Sequence, residues 1–130
     1  MRIYLVRHAE AAPGEPDELR PLTAAGEAAA RALGETLAGE GLDAVVTSPL
    51  LRARQTGEAI AAAAGVSAHP SDRLAPGAAA EDVRAAVAGR GEAVVVVGHQ
   101  PDCSQIAAAL AGGPEPHFPP GGMVRIDWPR

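Results

Sequence analysis

Ile3-Tyr4-Leu5-Val6-Arg7-His8-Ala9-Glu10 is the stretch on which the reading of this chain turns. Four apolar residues in a row, closed by charge, describe a strand buried on both faces, as in a parallel sheet. From Glu10 through Pro21 the chain drops into polar and turn-forming residues, so Arg7 and His8 fall where a strand ends and a loop begins. Ligands of open α/β sheets bind at that carboxyl edge. A guanidinium beside an imidazole there suits an anionic, phosphorylated ligand. Arg offers a planar fork matched to phosphate oxygens, and His attacks, donates or accepts.

Outward from that strand the chain alternates between helical and extended patterns. The segment 11–21 carries three prolines, a glycine and several acids, and reads as a loop over the sheet edge. Thr23 reads as the N-cap of a helix over 24–40, in which Ala29, Leu33 and Leu37 recur every four residues as an apolar stripe. Gly39 and Gly41 mark its end. Short strands are expected at 42–47 and 66–69, with a helix over 51–64 between them, stopped by Gly65. A third helix covers 79–88, with Glu81 and Asp82 in its first turn where the dipole favours acids. The valine run of 93–97 must be buried on both faces. It ends at Gly98-His99-Gln100-Pro101, and Pro101 opens a fourth helix to about 111 before a last strand within 122–128. This order implies one α/β domain over 1–130: a three-layer sandwich with a mostly parallel central sheet flanked by helices.

Composition narrows the class further. The 130 residues are 47% hydrophobic with mean hydropathy near zero, which fits a folded globular chain. Aromatics make up only 2%, so the core is expected to consist of Leu, Val and Ile on strands against Ala-rich helices. A net charge of −5 argues against nucleic acid or an acidic membrane as the main partner, although converging arginines can still make a basic pocket. All basic residues are Arg, which removes Lys as a catalyst. Cys103, the lone cysteine, excludes an internal disulfide and a Cys-paired zinc site, and no Asp/Glu cluster suggests another metal. Neither a secretory leader pattern nor a membrane-length apolar run is present, so a cytoplasmic location without cofactor is expected. Oligomeric state is left open.

Three strand ends carry candidate chemistry, and parallel strands would bring them to one edge: Arg7-His8, the segment from Ser48 to Arg52, and Gly98-His99. The residues here resemble a known family. Leu5-Val6-Arg7-His8-Ala9-Glu10 is similar to the RHG/RHxE signature of the histidine phosphatase superfamily, also called phosphoglycerate-mutase-like. Ser48-Pro49-Leu50-Leu51-Arg52-Ala53-Arg54-Gln55-Thr56 resembles its SPLxRAxQT motif, and Val97-Gly98-His99-Gln100-Pro101 its VGHxP motif. Arg20-Pro21-Leu22-Thr23 with Gly26 is similar to the RPLTxxG element of the SixA-like branch, the small bacterial phosphohistidine phosphatases. Four motifs in order over nearly the whole chain make the resemblance specific.

The chemistry is legible in the residue types. A neutral imidazole is a competent nucleophile near pH 7, and neighbouring arginines should bias His8 toward that form by like-charge repulsion. Attack on phosphorus would give a phosphohistidine intermediate that water then hydrolyses. Arg7 and Arg52 would grip the non-bridging oxygens, and His99 would donate from the far side. By resemblance, Arg20 is a further clamp near the phosphate. Glu10, close to His8, is a candidate acid or water-positioning group. Larger family members carry an acidic residue in an insertion above the site, for which the segment between Leu74 and Val94 is too short. An alkoxide leaves poorly without a proton donor, whereas an imidazole leaving from phosphorus needs far less help.

The expected function is therefore removal of phosphate from phosphohistidine on a protein partner of the histidine-phosphotransfer type. A broad-specificity phosphatase for small phosphomonoesters and an inactive phosphate-binding module of the same fold are the alternatives. Elsewhere the bland reading is preferred. Thr47 and Ser48 are expected to cap a helix, His69 and His117 to be solvated, and Cys103 to be a small core residue. The small Gly98 suggests close approach to something by the backbone.

Overall fold

The computed structural model describes residues 1–129. Its elements are β1 (Arg2–Arg7), α1 (Ala24–Leu37), β2 (Ala44–Thr47), α2 (Leu51–Ala64), β3 (Ala68–Pro70), α3 (Ala80–Val87), β4 (Ala93–Gly98), α4 (Asp102–Ala111) and β5 (Met123–Asp127). Short 3-10 turns cover Asp17–Leu19, Ala38–Glu40 and Asp72–Leu74. Each expected helix and strand is present. The expected 24–40 helix is divided, with α1 closing at Leu37 and a 3-10 turn completing it to a left-handed Gly41.

The five strands form one sheet in the order β3-β2-β4-β1-β5. β1 and β3 flank their neighbours in parallel, as does β4 with β2, and only β5 runs antiparallel, against β1. This is the expected α/β sandwich around a mostly parallel sheet. Strand alternation divides the core into two halves. Ile3, Leu5, Val94 and Val96 meet Val83 and Val87 of α3, Ile106 and Leu110 of α4, and Phe118 on one face. Tyr4, Val6, Val45, Val95 and Val97 meet Leu37 of α1 and Ala53 and Ile60 of α2 on the other. Full burial of each such Val, Leu or Ile contributes about 1.5–3 kcal/mol, so the valine run of β4 anchors both layers. Among the described residues no helix is long and apolar enough to cross a membrane.

The apolar stripe of α1 differs from the expected one. Gly26, Ala30, Gly34 and Leu37 are its buried residues, while Ala29 is exposed and Leu33 only half-buried. The reason is close helix approach, which hydrophobic periodicity does not register. A Cβ at Gly34 would stand 3.0 Å from the Ala59 carbonyl oxygen and 3.0 Å from the Ala63 Cβ on α2. Glycine here lets α1 and α2 pack nearly backbone to backbone.

Register places the site. Arg7 pairs with Gly98 and Thr47 with Val97, so β1, β4 and β2 end nearly level. The next residues, His8, His99 and Ser48, are thereby brought to one edge. From the adjacent β1 and β4 the chain leaves toward opposite faces, through α1 and α4, which opens the crevice where α/β sheets bind ligands.

Gly26 also borders this edge, because a Cβ there would collide with the Glu10 carbonyl oxygen, two residues beyond His8. Gly26→Ala is expected to destabilise the fold by about 1–3 kcal/mol in chemical denaturation, the cost of overpacking against backbone. At an open helical position the same change would stabilise by up to about 1 kcal/mol. A gain in stability would show that α1 is not held against the Glu10 backbone.

Candidate active site

The hydrogen-bond partners set the tautomers of both histidines. Nδ1 of half-buried His8 lies 2.7 Å from the Ala9 carbonyl oxygen. A carbonyl only accepts, so Nδ1 carries the hydrogen and Nε2 keeps its lone pair. His99 is buried, with Nε2 2.7 Å from Ser48 Oγ. Ser48 is fully buried, and among the described residues Nε2 is the acceptor its hydroxyl meets, while the Leu50 N–H donates to the oxygen at 3.2 Å; the hydroxyl proton therefore goes to Nε2. His99 then carries its hydrogen on Nδ1, a buried donor with no protein partner. The two rings stand 5.2 Å apart between centroids, tilted by 58°.

Both imidazoles are held neutral. Burial pushes the His8 pKa below the usual histidine value, and the charges of Arg52, Arg7 and Arg20 add to it against the Ala9 carbonyl. Burial therefore outweighs the like-charge repulsion expected from sequence. The His99 pKa falls to about 4, first by burial and then through His8 and Arg52.

The arginines are each fixed along one edge. Arg7 Nη1 donates to the Phe118 carbonyl at 3.0 Å, and Arg52 Nη1 to the Asp17 carbonyl at 2.8 Å. Arg20 Nε donates to the Ala12 carbonyl at 2.8 Å. Asp17 adds its carboxylate, accepting from Arg20 Nη1 at 3.1 Å and Arg52 Nη2 at 3.2 Å. Nε of Arg7 and Nε of Arg52 are buried without a protein partner, like His99 Nδ1. Unpaired buried donors are costly, and three of them belong to residues lining one cavity. That cavity, of about 320 Å³, is lined by Arg7, His8, Asp17, Arg20, Arg52, Pro76, His99 and Gln100. Three guanidinium groups against one carboxylate make it cationic within an acidic chain. It can seat a tetrahedral oxyanion beside the open Nε2 of His8.

Larger grooves of about 400 and 500 Å³ run beside α1 and α2, lined by residues such as Glu27, Arg31, Glu35 and Glu58. No unpartnered buried donor belongs to them. Size alone does not make them the site.

Arg7, His8, Arg20, Arg52 and His99 are thus brought together as the sequence suggested. Glu10 is not. It does not line the cavity, and its exposed carboxylate accepts from the Thr23 hydroxyl at 2.7 Å, at the start of α1. It leaves the candidate set because the turn after Ala9 directs it to the helix cap. Ser48 does not cap α2, whose N-cap is Leu50 without a side-chain bond; Ser48 orients His99 instead. Nothing in the local sequence joins two residues 51 apart. Asp17 was missed because one acid in a proline-rich loop looks solvated, although its spacing of three from Arg20 was a usable signal. A Cβ at Gly98 would make only an ordinary 3.7 Å contact with Cys103 Sγ, so close approach within the chain does not require that glycine. Cys103 is buried, its thiol pKa pushed up to about 12 mainly by burial, as fits a core residue. His117 is exposed and His69 half-buried. Asp82 accepts from the Ala79 N–H at 2.9 Å, a first-turn acid as read.

The family model described as histidine phosphatase superfamily (branch 1) matches residues 3–76. The chain belongs to the histidine phosphatase superfamily. That match includes Arg7, His8, Arg20 and Arg52, while His99 lies beyond it. By this membership the protein is a phosphatase. An uncharacterized protein of Picosynechococcus sp. is 40% identical over 128 residues, covering 90% of this chain and 77% of the relative. The protein histidine phosphatase SixA, solved complexed with tungstate, superposes with a TM-score of 0.85 at 27% identity over 96% of this chain and 86% of its own. A protein from Agrobacterium tumefaciens assigned as phosphohistidine phosphatase SixA gives 0.80 at 31% identity, covering 97% and 90%. A mycobacterial glucosyl-3-phosphoglycerate phosphatase, at 18% identity and a TM-score of 0.70 over 95% and 88%, shares the fold.

Burial of His99 carries a consequence for this phosphatase's stability. His99 has a folded pKa of about 4 against about 6.5 when unfolded, so below pH 6.5 the unfolded chain takes up protons that the folded chain refuses. Its contribution is fully present above pH 6.5 and is lost as pH falls toward 4. Denaturation midpoints should begin to fall in the upper part of this window, above the ordinary carboxylate range, and His99→Gln should flatten the fall there. An unchanged slope in the variant would mean that His99 is not held neutral.

Proposed function

We propose that this chain hydrolyses phosphohistidine on a protein partner of the histidine-phosphotransfer type, through a covalent phosphohistidine on His8. The observation that carries the choice of bond is the clasp on Asp17, the one carboxylate lining the cavity. Hydrogen bonds from Arg20 and then Arg52 hold its carboxyl below the usual carboxylate range. It is ionised at neutral pH and cannot protonate a leaving alkoxide. A phosphorylated imidazole that bears a proton on its distal nitrogen needs no acid, because it leaves as neutral imidazole.

In the first step, His8 Nε2 attacks phosphorus as the bond to the substrate nitrogen breaks, and that bond's electron pair stays on the leaving ring. Arg7 and Arg52 take the equatorial oxygens through their free Nε edges, His99 donates through Nδ1, and Arg20 supplies further positive charge. Each oxyanion donor of this kind is worth roughly 10²–10³ in rate. The Ala9 carbonyl steadies the His8 ring as it becomes cationic. Water then attacks the phosphoenzyme, the P–Nε2 pair returns to His8, and phosphate departs with both protons of that water. The likeness to SixA proteins, one of them complexed with the oxyanion tungstate, supports this reading.

Phosphate release should be fast from a phosphohistidine-bearing phosphotransfer domain and at least ~10²-fold slower from an alkyl phosphate, the minimum worth of a missing acid. His8→Ala should abolish release and acid-labile phosphoenzyme while leaving thermal unfolding native-like. Comparable rates on both substrates would replace this reading with a metabolite phosphatase. Release from neither would point to a phosphate-binding module.

A further inference from the structure

We infer that Asp17 selects the leaving group: its carboxylate accepts the distal N–H of the departing imidazole and so favours protonated N–P substrates over esters. The inference rests on the phosphohistidine reading and deepens it.

Asp17 is built into the cavity. Its backbone carbonyl and both carboxylate oxygens are tied to the arginines that line it. Each oxygen accepts one N–H, from Arg20 or Arg52, and retains a lone pair for another donor. With 58% of its side chain accessible, the carboxylate lies at the open side of the cavity, whereas buried His99 lies within. A histidine carried on a partner protein reaches the cavity from that open side, so the ring that leaves opposite Nε2 in an in-line displacement by His8 lies there. A phosphoimidazolium presents there a positive ring with an N–H; an ester oxygen presents neither. Opposite charge within hydrogen-bond distance stabilises the protonated ring, while an ester's developing negative charge meets repulsion.

Electrons and protons balance without an added acid. The N–P pair moves to the proximal nitrogen, the distal nitrogen keeps its hydrogen throughout, and the cationic ring departs neutral. Two other roles are open to a carboxylate at this place. As a mere brace for Arg20 and Arg52 it would affect all phosphoryl substrates alike. As a proton donor it would matter most for esters.

The test compares wild type with Asp17→Asn on two substrates: a peptide phosphorylated on histidine by phosphoramidate, and 4-nitrophenyl phosphate, whose leaving group also needs no acid. The expected loss in kcat/KM is at least tenfold greater on the phosphohistidine peptide. On that peptide the alkaline limb of kcat should move about one unit toward lower pH, because the bound ring loses the charge that keeps it protonated. Equal losses on both substrates without such a shift would leave Asp17 as a brace and overturn the inference while the proposed function stands. A larger loss on 4-nitrophenyl phosphate would mean that the carboxylate does not favour the departing imidazole and would overturn the inference too. No turnover by wild type of either the peptide or a phosphohistidine-bearing phosphotransfer domain would remove both readings together.

Discussion

The pairing of β1 with β4 is the constraint on which the remainder of this molecule depends. Both strands are buried on both faces, so neither can slip by one residue without sending its apolar side chains to the wrong layer. Parallel register then brings Arg7 opposite Gly98 and makes His8 and His99 neighbours. The His8 N–H closes the ladder on the Gly98 carbonyl at 3.0 Å, and the Ser48 N–H does the same on Val97 at 2.9 Å. Hydrophobic burial thereby positions catalytic-type groups to within hydrogen-bond tolerance.

At that edge polar chemistry is organised by backbone carbonyls. Ala9, Phe118, Asp17 and Ala12 each accept one hydrogen bond, from His8, Arg7, Arg52 and Arg20 respectively. A carbonyl cannot change protonation state, so it fixes a ring tautomer or guanidinium edge at any pH. The groups left over, namely His8 Nε2, His99 Nδ1 and the two arginine Nε atoms, are those an oxyanion can use. Burial keeps both rings neutral, the arginine charges acting in the same direction, and Ser48 gives His99 the tautomer with its hydrogen toward the unpaired side.

The helices are fitted to this edge by small residues more than by large ones. Gly34 lets α1 meet α2, Gly26 lets it meet the Glu10 backbone, and a Cβ at Gly57 would collide with Thr47 at the end of β2. An alanine- and glycine-rich chain with few aromatics thus gains close layers in place of large interlocking side chains. The same economy hid the true face of α1, since glycine contributes no signal to a hydrophobic period.

The sequence by itself determined the order of strands and helices and the mostly parallel sheet, and it named the five candidate residues, Arg7, His8, Arg20, Arg52 and His99, that line one cavity. Strand-end polar residues after apolar runs are local signals, and Arg7, His8, Arg52 and His99 stand at such ends or one turn beyond, with Arg20 in the loop between. Only the tertiary structure decided the turn of Glu10 to the Thr23 cap, the entry of Asp17 between two arginines and the contact of Ser48 with His99. Each depends on the direction of one side chain out of a loop or turn. That direction follows from which donor lies within reach after the sheet has closed, and residues 35 or 51 apart cannot signal it locally.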